Sequence, residues 1–353
     1  MMERITIRDI AREAGVSKGA VSYALNGRPG VSESTRARIL DVADRLGWAP
    51  NRTARLLSGS RTDAFGLVLA RSPRVLAAEP FYMEFVAGIE SVLADRASAL
   101  LLQVVPDLDS ELAIYRRWWS ERRVDATIVV DLRLDDPRMG LLKELELPAV
   151  CVGSVEHAQG LSCVWIDEGA SMAEAVRHLA GLGHRRIGRV AGLGDLAHTR
   201  VRDEAFFAVG AGLGLETRIE HTDFSADAGR RATRALMTGP DRPTALMFDN
   251  DLMAVTSLGV LHEMGIDVPG EVSVLAWDGS PLCEITTPQL SAMSHDVVAF
   301  GAHVARRVTD LVDGAAIGTF QERTPVMLAR GSTAPPPGPA PTTLTCREPA
   351  PVA

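Results

Sequence analysis

The sequence predicts two architectures in one chain: an N-terminal all-α helix-turn-helix module, then an α/β core of two doubly wound parallel-sheet lobes. Three observations carry that expectation. Apolar residues recur at helical spacing through the first fifty residues, interrupted by a glycine turn. From Ala64 onward, continuous apolar runs alternate with helical patterns. Charge is also divided: residues 1–61 hold 11 Lys or Arg against 6 Asp or Glu, whereas the remainder holds 26 against 39. A basic head on an acidic body expects phosphate contact at the head alone.

In the head, Ile7, Ile10, Ala11 and Ala14 form one apolar helix face, with Thr6 and Asp9 spaced as an acidic capping box. Gly15 suits the left-handed position past a helix end. Ser17 then caps a second helix with Val21, Ala24 and Leu25 on its inner face. Two short helices around such a turn form a helix-turn-helix, whose second helix enters the major groove. The outward face carries Lys18, Ser22, Tyr23 and Asn26, with Arg12 and Arg28 nearby, which is donor-rich and cationic. Ser32 caps a third helix with Ile39, Leu40, Val42, Ala43 and Leu46 on its apolar side and Gly47 at its end; Trp48 is expected against this small core. The segment from Asn51 to Gly59 has helix propensity and little to bury against, so alone it should not be helical in water.

The core alternates regularly. Strand-like runs at 65–70, 100–105, 126–130 and 149–152 are separated by helical patterns at 83–95, 110–122 and 137–145. A break near 155–165 precedes a second series: helix 169–181, strand 186–190, helix 199–212, a short strand near 219, helix 226–238, strand 245–248, helix 251–264, strand 273–276 and helix 297–312. Two doubly wound lobes follow, with a ligand cleft beyond the carboxyl ends of their strands. After Arg330 the chain is Pro-rich and expected to be disordered, with no leucine heptad for a coiled coil. The expected divisions are 1–49, 50–61, 62–330 and 331–353.

Composition narrows the function. Cys151, Cys163, Cys283 and Cys346 form no Cys-x-x-Cys pair and no metal-spaced cluster, so no metal or cofactor is expected. There is no apolar export signal and no run of 18 apolar residues, which fits a cytoplasmic protein with no membrane partner. The competing reading is a nucleotide-dependent enzyme using the loop Gly192-Leu193-Gly194, followed by Ala197 and by Glu216 about twenty residues on. No Ser-His-Asp grouping or nucleophile elbow accompanies it, and no catalytic residue is assigned. His184 is expected to be a structural loop histidine.

The run Thr-Ile-x-Asp-Ile-Ala-x-x-Ala-Gly-Val-Ser-x-x-x-Val-Ser-x-x-Leu-Asn, residues 6–26, resembles the N-terminal signature of the LacI/GalR family of bacterial transcription regulators. The order of elements agrees with that family over roughly residues 4–330. The resemblance implies a periplasmic-binding-protein-like core that senses a small molecule, a carbohydrate by default. It implies a homodimer on a pseudo-palindromic DNA operator, acting most often as a repressor. It also makes residues 50–61 a hinge helix in the minor groove. There Leu57 would wedge between base steps, with Ala54 at the helix contact and Asn51, Arg52 and Arg55 beside it.

Within the head, Lys18, Gly19 and Tyr23 sit where side chains reach base edges. Thr6, Ser22 and Asn26 are suited to holding phosphates, and Ser17 is expected among the DNA-binding residues. Gly19 offers no reading side chain, and Ala20 stands where the family usually has Thr. In the core, Arg202, Asn250, Asp251 and Asp278 match the family's pocket positions. A guanidinium fork and loop carboxylates suit paired hydroxyls. Phe81, Tyr82 and Phe224 are expected to stack on an apolar ligand face.

Overall fold

The computed structural model describes residues 5–25, 27–48 and 61–338. Asn26 and the whole group Asn51, Arg52, Ala54, Arg55 and Leu57 lie outside the described residues. The chain divides into two compact units, residues 1–62 and 63–353.

The first unit contains α1 (Ile7–Ala14), α2 (Lys18–Leu25) and α3 (Glu33–Arg45). The Thr6 backbone N–H and hydroxyl both donate to Asp9 Oδ2, at 3.0 and 2.7 Å, which closes the start of α1. Gly15 takes φ 65°, where a side chain is disfavoured, and the Val16 N–H returns to the Ala11 carbonyl to finish the helix. Ser17 Oγ accepts from the Ala20 N–H, starting α2 only three residues after α1 ends. Ile10, Ala14, Val21, Ala24, Ile39 and Val42 fill the core, with Trp48 packed against it. Arg36 on α3 donates to the carbonyls of Ala24 and Arg28, tying off the end of α2. Leu40, expected on the apolar side of α3, is exposed instead. It is one residue from Ile39 and so points away from the face that Ile39 and Val42 share.

The second unit has two six-stranded sheets. One contains β1 (Ala64–Ala70), β2 (Ala99–Val105), β3 (Ala126–Val129), β4 (Ala149–Val152), β5 (Ser162–Trp165) and β11 (Thr319–Gln321), in the order β11-β5-β4-β3-β1-β2. The other contains β6 (Arg186–Ala191), β7 (Glu216–His221), β8 (Ala245–Phe248), β9 (Ser273–Ala276), β10 (Ser291–Ser294) and β12 (Val326–Leu328), in the order β12-β10-β9-β8-β6-β7. All pairings are parallel except β10 with β12. In the N-terminal lobe, α4 (Pro73–Ala78) and α5 (Pro80–Asp95) follow β1, and α6 (Leu108–Ser120) and α7 (Pro137–Glu144) cover the other face. In the C-terminal lobe, α8 (Glu168–Gly181) and α9 (Ala197–Gly212) pack opposite α10 (Ala226–Met237) and α11 (Asp251–Glu263).

The lobes are not divided at a single break near 155–165. β5 still belongs to the first sheet, and α12 (Val297–Val312) returns from the second lobe to pack on α5. β11 then completes the first sheet before β12 joins the second, so the chain crosses between lobes three times. The return is set by a close helix contact. A Cβ on Gly88 would collide with the Val298 carbonyl, and one on Gly301 with the Phe85 carbonyl. Two glycines on facing helices let the backbones touch, a long-range pairing that no local pattern announces.

The tail expected to be free from 331 is bound for its first residues. Buried Ser332 accepts from the Ser291 N–H at 2.8 Å and donates to the Val274 carbonyl at 2.6 Å. The Ala334 carbonyl meets His184 Nε2 at 3.0 Å. His184 also bonds Thr244 and is buried, the structural role expected of it. These serines and Ala334 satisfy backbone groups at the sheet end, which outweighs the local preference of a Pro-rich segment for extended, solvated chain. Residues 339–353 lie outside the described residues.

Gly88→Val should lower the melting temperature of the second unit, because overpacking a close contact costs ~1–3 kcal/mol. Differential scanning calorimetry checks this, and an unchanged transition would show that the α5–α12 contact can spread at no cost.

Candidate functional site

The candidate DNA-binding surface is the exposed side of α2. Lys18 and Gly19 are exposed in its first turn, and Tyr23 follows one turn later at 45% exposure. A Cβ at Gly19 would meet only Ser17 Oγ at 3.8 Å, so packing does not require glycine there. Thr6 and Ser17 are exposed as well as serving as caps, and Ser22 is half-buried. Helix N-termini and hydroxyls of this kind suit phosphate oxygens.

The second site is a cavity of about 110 Å³ between the lobes. More than half of its wall is made of residues that follow strand ends, the place where doubly wound sheets leave room for a ligand. Arg71 follows β1, Asp131 follows β3, Gly153 follows β4 and Glu168 follows β5. From the other lobe, Phe224 follows β7, Asp249 follows β8, Asp278 follows β9 and His295 follows β10. Phe81, Tyr82 and Phe85 on α5, with His198 and Arg202 on α9, close the sides.

The charged groups are arranged in pairs. Asp131 Oδ2 accepts from Arg71 Nε at 2.9 Å and from the Tyr82 hydroxyl at 2.8 Å. Burial is the largest single influence and opposes its charge, but the Arg71 charge and hydrogen bond, with the Tyr82 hydroxyl among others, together hold the carboxyl well below its usual range. Arg202 Nε donates to Glu168 at 2.7 Å, and the guanidinium lies 4.2 Å from the Trp277 ring centroid. Asp249 is clamped from behind by Arg189 at 2.8 and 2.7 Å and accepts the Gly192 N–H at 3.0 Å. Asp278 is different. Burial first, then the neighbouring carboxylates of Asp251 and Glu79, raise its pKa well above the usual range. His198 is held down to about 4, by burial and then by Arg202.

Two wall residues lie in strained backbone. Asp131 has φ 53° and Phe224 has φ 65°, left-handed values uncommon for residues with a Cβ. The Phe224 ring fills the space a Cβ on Gly192 would need and receives the Arg71 guanidinium 4.5 Å from its centroid. Such outliers concentrate at ligand clamps.

Phe81, Tyr82, Arg202, Phe224 and Asp278 are therefore brought together on one wall. Asn250 and Asp251 are not on it. Asn250 caps α11 through the Met253 N–H at 2.9 Å and donates to Glu79 and to the Phe224 carbonyl. Asp251 accepts the backbone N–H groups of Trp277 and Ser280, fixing the loop that carries Asp278. Both position the wall from behind, because after Asp249 the chain has already turned into the start of α11. Sequence reasoning missed Arg71, Glu79, Asp131, Glu168, His198, Asp249 and His295. Applying the strand-end rule to every strand would have found five of these, Arg71, Asp131, Glu168, Asp249 and His295.

The glycine loop 192–194 does not form a nucleotide fingerprint. The Gly192 N–H faces a carboxylate, where a pyrophosphate would be repelled. Glu216 pairs with Arg186 at the start of β7, the opposite end of the sheet from Gly192.

Residues 6–51 match the family described as bacterial regulatory proteins, lacI family, and residues 176–333 match a periplasmic binding protein-like domain. The chain is 31% identical over 317 residues to the HTH-type transcriptional regulator CelR of Thermobifida fusca, covering 88% of this chain and 93% of that protein. Among solved structures it is similar to a LacI family transcriptional regulator from Bifidobacterium animalis subsp. lactis (TM-score 0.73, 32% identity, 78% of this chain and 100% of the other). It is also similar to a CelR–cellobiose complex (TM-score 0.71, 29% identity, 93% and 100%). The chain belongs to the LacI family of DNA-binding transcription regulators. No helix among the described residues is long and apolar enough to cross a membrane.

Glu79 links the cavity to pH. It is 9% exposed, and burial pushes its carboxyl from 4.5 up to about 7 against the pull of Arg71. A raised carboxyl binds more protons folded than unfolded, so its contribution to stability falls as pH rises from about 4.5 to about 7. Glu79→Gln removes that slope. Relative to the parent, the variant should gain on the order of 1–3 kcal/mol between the ends of that window. Urea unfolding at a series of pH values reads this directly, and a pH-independent difference would contradict it.

Proposed function

We propose that the chain is a homodimeric, cytoplasmic repressor whose hold on a pseudo-palindromic operator is governed by a carbohydrate bound between the lobes. The observation that carries the ligand reading is the cavity wall itself, assembled from strand ends of both lobes. A molecule touching both halves favours one lobe angle over another, and that differential affinity is what a ligand needs to shift an equilibrium. Aromatic faces beside carboxylates and a guanidinium suit a sugar ring and its hydroxyls, and the similar CelR structure is a complex with cellobiose.

The dimer reading is supported by apolar side chains at the rim of the core. Edge strand β2 exposes Leu102 and Val104, α5 exposes Met83 at 62%, and Ile285 is 77% exposed. An apolar edge strand left open is a template for pairing with another chain. On DNA, Lys18 and Tyr23 read bases while Thr6, Ser17, Ser22 and Asn26 hold phosphates. Residues 50–61 fold as hinge helices at the operator centre, with Leu57 as the wedge and Asn51, Arg52, Ala54 and Arg55 around it. Ligand occupancy alters hinge spacing and so operator affinity, a coupling of typically ~1–3 kcal/mol.

Selection from a random duplex pool at fixed salt, with and without a sugar library, tests the whole reading. The expected product is a palindrome with a flexible central step, recovered in sugar-dependent yield; release or tightening gives the sign of the response. Unenriched pools would reject it. On the selected operator, Lys18→Ala should relax base preference at one position in each half-site by ~1–3 kcal/mol. Leu57→Ala should reduce DNA bending, and unchanged bending in a gel-phasing assay would reject the wedge.

A further inference from the structure

The cavity holds more acidic side chains than its own cations pair with. Glu79, Asp131, Glu168, Asp249 and Asp278 line it, against Arg71 and Arg202. Arg71 is committed to Asp131 and Arg202 to Glu168, while Asp249 is held from outside the wall by Arg189. Two carboxylates remain. Glu79 accepts one 3.2 Å hydrogen bond from Asn250, and Asp278 accepts none from the described residues. They come from opposite lobes, Glu79 from the loop before α5 and Asp278 from the loop after β9. The two histidines add no compensating charge, since burial lowers the pKa of both His198 and His295.

Other polar atoms in the same wall are shut from solvent without a partner. Arg71, 8% exposed, leaves Nη1 unbonded, and both ring nitrogens of His295 are unbonded. Phe81, Phe224 and Phe300 supply apolar faces between them. A ligand that satisfies this wall must offer an acceptor to Arg71, a donor or acceptor to His295, and donors to Glu79 and Asp278, whose charged forms are disfavoured by burial until a cation stands between them.

Resting on the reading of the cavity as a carbohydrate site, we propose that its ligand is an amino sugar, with the ammonium between Glu79 and Asp278 and ring hydroxyls on Arg71 Nη1 and His295. An ammonium has three donors and no acceptor, which matches Asp278, with no donor among the described residues, and Glu79, with one. Hydrogen bonds between ions are shorter and stronger than those a neutral hydroxyl makes. Aromatic faces favour a cation further. A sugar phosphate or uronic acid would bring a further anion beside two acidic groups whose charge burial and neighbouring carboxylates already disfavour, while both guanidiniums are paired. The ammonium also draws on one carboxylate from each lobe, so ligand charge itself favours the closed pair.

The full-length protein, titrated calorimetrically at neutral pH, tests this with glucosamine and its β-linked disaccharide, glucose, cellobiose, glucose 6-phosphate and putrescine. The amino sugars should bind at least tenfold tighter than their neutral counterparts, and the phosphate should not bind. Glu79→Gln and Asp278→Asn should each bring the amino-to-neutral ratio towards one; the two lie in different lobes, so misfolding of one leaves the other as the test. Neutral sugars binding as tightly as amino sugars, or binding of the phosphate, would overturn the amino-sugar assignment and leave the carbohydrate reading standing. Putrescine binding without any sugar, or no binding at all, would overturn both.

Discussion

A buried guanidinium on β6 sets the rim of the C-terminal lobe. Arg189 is fully buried and spans three elements: two bonds to Asp249 after β8 and one of 2.5 Å to Asp203 on α9. Asp203 in turn takes His221 at the end of β7. Asp249 extends the network forward by accepting the Gly192 N–H, which draws the loop after β6 against the Phe224 ring. Breaking one partner of such a buried pair typically costs ~3–5 kcal/mol, because the other is left charged and unpaired. The position of Asp249 on the wall, and through Gly192 the packing of the loop after β6 on Phe224, depend on this one guanidinium.

Around that anchor, the lobes meet through few but specific contacts. The Ala197 N–H bonds the Leu132 carbonyl at 2.8 Å, the Leu134 N–H bonds the Asp195 carbonyl at 3.1 Å, and Arg133 pairs with Asp195. Asn250 reaches Glu79, and Arg71 lies over Phe224. Each contact joins a loop after a strand of one sheet to a loop after a strand, or a helix start, of the other. The same loops line the cavity, so what fills it and what holds the lobes together draw on one set of residues. This is the physical basis for linking a bound molecule to a change of lobe angle.

Much of this was legible in the sequence because it is local. The Thr6–Asp9 box, Gly15 and Ser17 fix three helix termini within twelve residues, and the first-unit core follows from 3.6-residue spacing. The alternation of apolar runs identified most strands of both sheets. What could not be read were pairings over long separations. The contact of Gly88 with Val298 and of Gly301 with Phe85 spans over two hundred residues of chain, and it decides which lobe owns α12. At the cavity, single matched positions such as Arg202 and Asp278 were legible. The charge partner of Arg202 was not, because Glu168 gains its meaning only from the crossing after β5 that sets it beside α9. Leu40 and the bound residues 331–334 were misjudged for the complementary reason, that a local preference was overruled by what surrounds it.

The threefold crossing has a practical consequence for dissecting the protein. The match over residues 176–333 suggests a fragment that stands alone, yet that span contains α12 and β11, which complete the other lobe. Excised, it would carry an amphipathic helix with its apolar face uncovered and a strand without its sheet. The remaining N-terminal piece would lose the helix that packs beside α5 on one sheet face. Neither lobe is therefore an autonomous folding unit, and a study of ligand binding in isolation must keep residues 63–338 whole.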